Sequence, residues 1–209
     1  MSIKNKNKIK AVIFDWGGVC CSEGEPFASK AFQNKVGKHP NDICKDVMGL
    51  YLDFYRGKYT PDEFYRKILR YYNFEETALL NPETMTRAYI DSTEIWHDVL
   101  EMAKKLQNKY KVSLLSDLTP VMRDYIHKVA DIVYYFPIEM YSCDEGVGMV
   151  KGDGPAIFKL MLERMGVAAP DALFIDNSKN KIKIADGIGL QTMLFENRNQ
   201  FFRDIKQFL

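Results

Sequence analysis

Four polar side chains stand where a chain of this pattern could do chemistry. They are Asp15 after the apolar run KAVIF, Ser116 after KVSLL, Asp176 after ALFI, and Lys151 in the glycine-rich segment GMVKGDGP. Short runs rich in β-branched and aromatic residues predict buried strands. Because ligands bind beyond the carboxyl ends of the strands in an open parallel sheet, we expect these side chains to meet at one edge.

A carboxylate, a hydroxyl, a lysine and a second acid are the groups that phosphoryl transfer through an aspartyl intermediate requires. Asp15 would be the nucleophile, and Ser116 would hydrogen-bond a phosphoryl oxygen. Lys151 would neutralise the charge that the phosphate brings beside the nucleophile. Gly17 and Gly18 follow directly, and glycine lets the backbone turn sharply to aim its amide groups at a phosphate.

The same residues predict a magnesium site. Asp176, with Asn177 as a further oxygen donor, would complete a shell that is otherwise formed by Asp15, the main-chain carbonyl of Gly17, the phosphate and water. Magnesium prefers such a sparse set of one or two carboxylates plus substrate oxygens.

Alternating strand and helix patterns predict the fold class. Candidate strands are KAVIF (10–14), KVSLL (111–115), IVYYF (132–136), ALFI (172–175) and QTMLF (191–195), and helix-length segments cover 119–130, 155–166 and 178–187. Strands that alternate with helices form a parallel sheet with helices on both faces. We therefore expect an α/β protein with a Rossmann-like three-layer core.

The segment between the first two strands has a different sequence pattern. Residues 25–107 show amphipathic stretches and no convincing strand. This predicts an α-helical cap domain over 20–92, inserted into a core domain formed by 1–19 and 93–209. Arg56, beside Gly57 in the cap, is a candidate cation for binding substrate charge.

Composition limits the partners. Lys and Arg number 29 against 28 for Asp and Glu, so the net charge gives no reason to expect binding to nucleic acid or to an anionic membrane. The four cysteines show no zinc-site or disulfide spacing, and the apolar run behind the basic start is too short for a signal peptide or a membrane span. We expect a cytoplasmic protein with a small phosphorylated substrate; no pattern indicates an oligomeric state.

Taken in order, four segments resemble the motifs of the haloacid dehalogenase-like (HAD) hydrolase superfamily. They are VIFDWGGV, LLSD, the segment EGVGMVKGDGPAIFKLMLERMGV around Lys151, and ALFIDNSKNKIKIADGIGLQTMLF. YRGKYTPDEFYRKIL resembles a cap segment of the phosphatase-like members. The resemblance covers nearly the whole chain and implies a HAD-like fold and a Mg²⁺-dependent phosphatase that forms an aspartyl-phosphate on Asp15, with a sugar phosphate as the favoured substrate class.

Three positions depart from the pattern of those phosphatases. Gly17 stands where a second Asp usually serves as general acid and base, and Asn177 stands where an acidic pair is common. Asp117 stands where Asn often follows the motif's serine. It is a candidate substrate-binding residue by position, but a carboxylate repels phosphate, so we expect its side chain to point elsewhere.

Two other functions are compatible with these residues. A dehalogenase of the same superfamily also lacks the second Asp and needs no metal. A binding protein that keeps the fold but has lost turnover would show departures of the same kind. Release of halide without magnesium, or an Asp15 that forms no adduct with a phosphate mimic, would distinguish them.

Overall fold

A computed structural model describes residues 8–209 of the chain. Within that range, five parallel strands form one sheet: β1 (Ala11–Phe14), β2 (Lys111–Ser116), β3 (Ile138–Tyr141), β4 (Ala172–Asp176) and β5 (Gln191–Leu194). Their order across the sheet is β3-β2-β1-β4-β5. The chain runs outward from β1 to β3 and then returns to the other side of β1, so the strand order reverses between β1 and β4. Such a reversal leaves a ligand-binding crevice at the carboxyl ends of the strands.

Helices cover both faces of this sheet. The α-helices within residues 8–209, including those outside these two layers, are α1 (Lys30–Val36), α2 (Pro40–Asp46), α3 (Met48–Tyr55), α4 (Pro61–Tyr71), α5 (Pro82–Asp91), α6 (His97–Leu106), α7 (Pro120–Val129), α8 (Ile132–Tyr135), α9 (Ala156–Met165), α10 (Lys179–Gly187) and α11 (Arg198–Ile205). None of these described helices combines the length and the apolar character needed to cross a membrane.

The central strand β1 packs against both helical layers. Successive side chains of a strand point to opposite faces. Val12 and Phe14 lie in the layer that includes residues of α6 and α11, whereas Ala11 and Ile13 lie in the layer of α9 and α10. All four are fully buried, so the strand that leads to the predicted nucleophile is enclosed on both faces. The α/β three-layer prediction is confirmed.

The predicted strand over 132–136 is wrong. Ile132 and Phe136 are buried, whereas Val133 and Tyr134 are about half exposed, which is the spacing of one helical face and not the alternation of a strand. The Asp131 side chain accepts a hydrogen bond from the Tyr134 amide at 3.2 Å and caps the short helix α8. The third strand lies further along the chain, at β3.

The segment between β1 and α6 is helical, as the sequence predicts. Helices α1–α5 lie there, and among the described residues no strand interrupts 20–92. Thr60 and Glu63 form a capping box at the start of α4. The segment has its own aromatic core, in which the rings of Phe54 and Phe64 stack with centroids 4.1 Å apart. The division of the chain into two domains at residues 20 and 92 stays a prediction.

Candidate active site

Asp15 lies directly after β1, at the crevice between β1 and β4. Three groups converge on its Oδ1: the Trp16 amide at 2.7 Å, Ser116 Oγ at 2.8 Å and Lys151 Nζ at 2.6 Å. Burial raises the pKa of Asp15, but the positive charges of Lys151 and Lys181 lower it by more. The pKa of Asp15 therefore lies well below its usual range. The carboxylate is therefore ionised at neutral pH and fixed through one oxygen, as a nucleophile requires.

Lys151 is completely buried at the start of a short 3₁₀ turn. Its Nζ lies 2.6 Å from Asp15 Oδ1, 2.8 Å from Asp176 Oδ2 and 3.2 Å from the Leu115 carbonyl. These three protein acceptors match the three N–H groups of the ammonium. Lys151 thus compensates two buried carboxylates whose charge would otherwise be strongly destabilising.

The carboxylate of Asp176 lies at the end of β4, opposite Asp15. Oδ1 accepts a hydrogen bond from the Ser178 amide at 2.7 Å, and Oδ2 pairs with Lys151. Burial, followed by the negative charge of Asp15, raises the pKa of Asp176 to about 7. The structure therefore places the four predicted side chains at one site, with two neighbouring carboxyl groups that repel each other.

The turn after Asp15 depends on glycine at position 18. Gly18 has a φ of +72°, and a Cβ there would lie 2.1 Å from Asn177 Nδ2. Asn177 Nδ2 in turn donates a hydrogen bond to Glu23 Oε1 at 2.6 Å. At Gly17, by contrast, a Cβ would meet no atom within 4 Å, so the space that a second acidic side chain would use is open.

The residues at this edge fit a divalent cation. Two adjacent buried carboxylates, Asp15 and Asp176, repel each other, and a cation relieves that repulsion. Because Asn177 uses its amide nitrogen on Glu23, its Oδ1 is the atom left for a metal. Within residues 8–209 no group of three or more His, Cys, Asp or Glu side chains is arranged to hold a metal. Such a site must therefore draw on main-chain, substrate and water oxygens, as magnesium does.

Asp117 and Lys181 also line the cavity beside Asp15. The expectation that Asp117 points elsewhere is wrong. Its Oδ1 accepts a hydrogen bond from the Lys151 amide at 2.8 Å, and its Oδ2 pairs with Lys181 Nζ at 3.0 Å. These two bonds hold the carboxylate at the cavity wall and offset its charge.

Lys181 was missed by the sequence analysis. It lies in the first turn of α10, and its Nζ is 3.7 Å from Asp15 Oδ2. Burial lowers the pKa of Lys181, but Asp15 and Asp117 outweigh that effect and raise it above its usual value. Sequence alone does not show that Lys181, and not Lys179 or Lys183, faces the site; those two lysines of the same helix are exposed.

The prediction that Arg56 binds substrate is not supported by its position. The guanidinium forms a two-pronged contact with Asp153, with Nη2 2.7 Å from Oδ1 and Nε 3.3 Å from Oδ2. Arg56 lines a separate surface groove with Arg123 and Asp144 and does not line the cavity at Asp15. Because Asp153 follows Lys151 by two residues, this pair joins the cap segment to the turn that carries the buried lysine.

The cavity in front of Asp15 has a volume of about 450 Å³. Much of its lining is aromatic and apolar: Tyr51, Leu52, Tyr55 and Tyr89 come from the cap segment, and Leu118 and Met122 come from the core segment. Two polar atoms of lining residues, Trp16 Nε1 and Thr93 Oγ1, are buried without a hydrogen-bond partner. A buried donor or acceptor without a partner is costly. Both atoms are closed off from the cavity, so a ligand would reach them only after neighbouring side chains move.

Comparisons with known proteins agree with this geometry. Residues 9–189 match the family described as haloacid dehalogenase-like hydrolase. The D-ribitol-5-phosphate phosphatase of Bacteroides thetaiotaomicron is 27% identical over 197 residues, which cover 90% of this chain and 93% of that protein.

Solved structures show the same relationship. A HAD family enzyme from Bacteroides thetaiotaomicron, solved as the wild-type protein in complex with magnesium and inorganic phosphate, has a TM-score of 0.77. It is 25% identical, and the match covers 93% of this chain and 100% of that one. A crystallised dehalogenase is 20% identical with a TM-score of 0.65, covering 91% of this chain and 86% of that one, and shares the fold. From the extent of the family match, this chain belongs to the haloacid dehalogenase-like hydrolases.

Proposed function

We propose that the protein is a magnesium-dependent phosphatase that hydrolyses a small phosphorylated metabolite through an aspartyl-phosphate on Asp15. One observation carries the proposal: an ionised, buried carboxylate that lines the cavity has one oxygen held by three donors, which leaves the other oxygen for the reaction. The phosphatase from Bacteroides thetaiotaomicron supports the reaction class, since it is similar along nearly its whole length.

In the first step, Asp15 Oδ2 attacks phosphorus, and the bond from phosphorus to the ester oxygen breaks. Oδ2 is the oxygen we assign to the attack because Oδ1 already meets Trp16, Ser116 and Lys151. Lys151 holds the carboxylate in place and offsets its charge as the phosphoryl group approaches. The leaving group departs with the ester oxygen and needs a proton.

In the second step, water attacks the phosphorus of the aspartyl-phosphate, which releases inorganic phosphate and restores the Asp15 carboxylate. Because Gly17 stands at the usual position of the general acid and base, another group must give a proton to the leaving group in the first step and take a proton from water in the second. We assign both proton transfers to Glu23, which lines the cavity and accepts a hydrogen bond from Asn177 Nδ2 at 2.6 Å. A carboxyl group in the lining of the cavity can exchange a proton with the leaving group and with water.

Bound magnesium would offset charge on the phosphoryl oxygens. The residues we propose to hold it are Asp15, Asp176, the carbonyl of Gly17 and Oδ1 of Asn177. Gly18 supports this arrangement, because any larger residue there would displace Asn177.

A hydroxylated leaving group, as in a sugar or polyol phosphate, is the substrate class that the cavity supports best. Trp16 and Thr93 belong to the lining, and their Nε1 and Oγ1 atoms have no protein partner, so a shift of the side chains that cover them would let them hydrogen-bond to substrate hydroxyls. The rings of Tyr51, Tyr55 and Tyr89 form an amphipathic wall, since each has an apolar face and a polar hydroxyl. The ribitol phosphate substrate in the name of the relative belongs to the same chemical class.

The test is a screen of phosphate esters with and without Mg²⁺, in which the wild type and Asp15→Asn are compared. We expect phosphate release by the wild type only, with Mg²⁺ present, and highest for polyol and sugar phosphates. Equal rates from the two proteins would remove Asp15 from the mechanism. Halide release from haloacids without Mg²⁺ would favour the dehalogenase, and phosphate binding without turnover of any ester would favour a binding protein.

A further inference from the structure

The site holds two ammonium groups, and they differ in what they can offer a ligand. Lys151 is completely buried and meets three protein oxygens. The side chain of Lys181 is 23% exposed and lines the cavity. Since an ammonium carries three N–H groups, Lys151 has none to spare for a substrate oxygen.

The ammonium of Lys181 has N–H groups that no protein oxygen of the described residues accepts. Its Nζ is 3.0 Å from Asp117 Oδ2, a hydrogen-bonding distance, and 3.7 Å from Asp15 Oδ2, which is beyond it. Within the described range of 8–209, no third acceptor is found at this ammonium. At least one N–H group can therefore turn toward the cavity beside the oxygen that we assign to the attack.

We infer that Lys181 is a phosphate-binding residue of this site: its ammonium pairs with Asp117 in the free protein and donates to an oxygen of the phosphoryl group when a substrate binds. This inference rests on the proposed function for the identity of the substrate. Asp117 positions the lysine, because the same carboxylate is anchored by the Lys151 amide at 2.8 Å. The arrangement accounts for a carboxylate at the cavity wall, where it would otherwise repel phosphate.

Binding of inorganic phosphate in the presence of EDTA tests Lys181 without magnesium and without turnover. We expect isothermal titration calorimetry to show that Lys181→Met weakens phosphate binding by about tenfold, the effect of one charge-assisted hydrogen bond. Lys183→Met removes an exposed lysine two residues away on the same helix, and it should change the affinity much less. Lys181→Arg keeps the charge and the hydrogen-bond donors and should retain most of the affinity. That result would show that the loss of affinity in Lys181→Met is not caused by misfolding.

A double-mutant cycle separates direct binding from a purely structural role. Asp117→Asn removes the competing acceptor charge and should strengthen phosphate binding, and most of that gain should disappear when Lys181→Met is also present. Equal effects of Lys181→Met and Lys183→Met would overturn the inference, because net charge alone would then explain them. Unchanged affinity in Lys181→Met, or a wild type that binds no phosphate, would also overturn it. Phosphate binding that depends on Lys181 in a protein without phosphatase activity would instead refute the proposed function and leave the inference standing.

Discussion

The two walls of the cavity differ in chemical character: the wall formed by the core is charged, and the wall formed by the cap segment is mostly aromatic. The core wall carries the charged side chains of Asp15, Asp117 and Lys181. Directly behind it, Lys151 lies between Asp15 and Asp176, at 2.6 and 2.8 Å. The cap wall consists of Tyr51, Leu52, Tyr55 and Tyr89. Its polar contacts are longer: the hydroxyl oxygens of Tyr55 and Tyr89 are 3.4 Å apart. The difference indicates a division of work: the core fixes the reacting groups, whereas the cap shapes the space for the leaving group.

Removing the central charge behind the core wall should have the largest effect. Lys151→Met leaves Asp15 and Asp176 buried without their shared cation, which typically costs about 3 to 5 kcal/mol. Urea unfolding should show this loss in the free energy of unfolding. The matched change Lys183→Met, at an exposed lysine, should stay within about 0.5 kcal/mol. Similar stability of both variants would mean that the core wall does not depend on this charge balance.

The core wall should also show a specific pH dependence in metal-free protein. The pKa of Asp176 is raised from 3.8 to about 7, so its stabilising contribution is present below the unfolded pKa and is lost as the pH rises toward 7. The fall should be on the order of 2 to 4 kcal/mol between about pH 4 and pH 7. Because the pKa of Asp15 is depressed, the contribution of that residue changes at lower pH.

Asp176→Asn removes that titration. Free energies of unfolding of the wild type and the variant, measured across this pH range with EDTA, should therefore have different slopes, and the variant should lose less stability as the pH rises. Parallel slopes would show that Asp176 does not titrate in this range.

Proton transfer at the boundary of the two walls should have the next largest effect. Glu23→Gln keeps an oxygen acceptor for Asn177 but removes the proton donor, and it should lower kcat by roughly 10²-fold. The control is Glu94→Gln, at an exposed residue that does not line the cavity. A steady-state pH profile that keeps its shape and height in Glu23→Gln would assign the proton to another group.

Thr93, where the chain passes from the cap segment to the core, should affect recognition with smaller effects. Thr93→Val removes one unpartnered hydroxyl and should raise KM for polyol phosphates by about 2- to 10-fold. KM for phenyl phosphate, which lacks hydroxyls on its leaving group, should change little. Arg56→Ala, outside this cavity, should leave both KM values unchanged; an equal rise for both substrates in Thr93→Val would indicate a general packing defect.

The sequence predicted the core wall better than the cap wall for a physical reason. Asp15, Ser116 and Asp176 each follow an apolar strand, and parallel strands bring their carboxyl ends to one edge whatever the details of packing. Arg56 does not follow a strand, so the sheet does not determine where its side chain lies. Its direction depends on an ion pair with Asp153, nearly a hundred positions away in the chain, and no local pattern encodes that pair.

The sequence also missed the role of Lys181 and the helix at 132–136, because both depend on tertiary packing. Periodicity within α10 could have shown that Lys181 faces another side than Lys179 and Lys183, but only the packed helix shows which side meets the cavity. The run at 132–136 was ambiguous because short apolar segments suit strands and helices alike. Asp131 in front of it was the available signal, since a carboxylate is a preferred helix cap.

The central claim is that Asp15 itself receives the phosphoryl group. Its most direct test is to mix the protein with Mg²⁺ and its best ester substrate, quench in acid within one turnover, and map phosphoryl groups by peptide mass spectrometry. The account predicts one phosphoryl group on the peptide that contains Asp15, and none in Asp15→Asn. Substrate turnover with that peptide unmodified at every time point, or with the phosphoryl group on another residue, would contradict it.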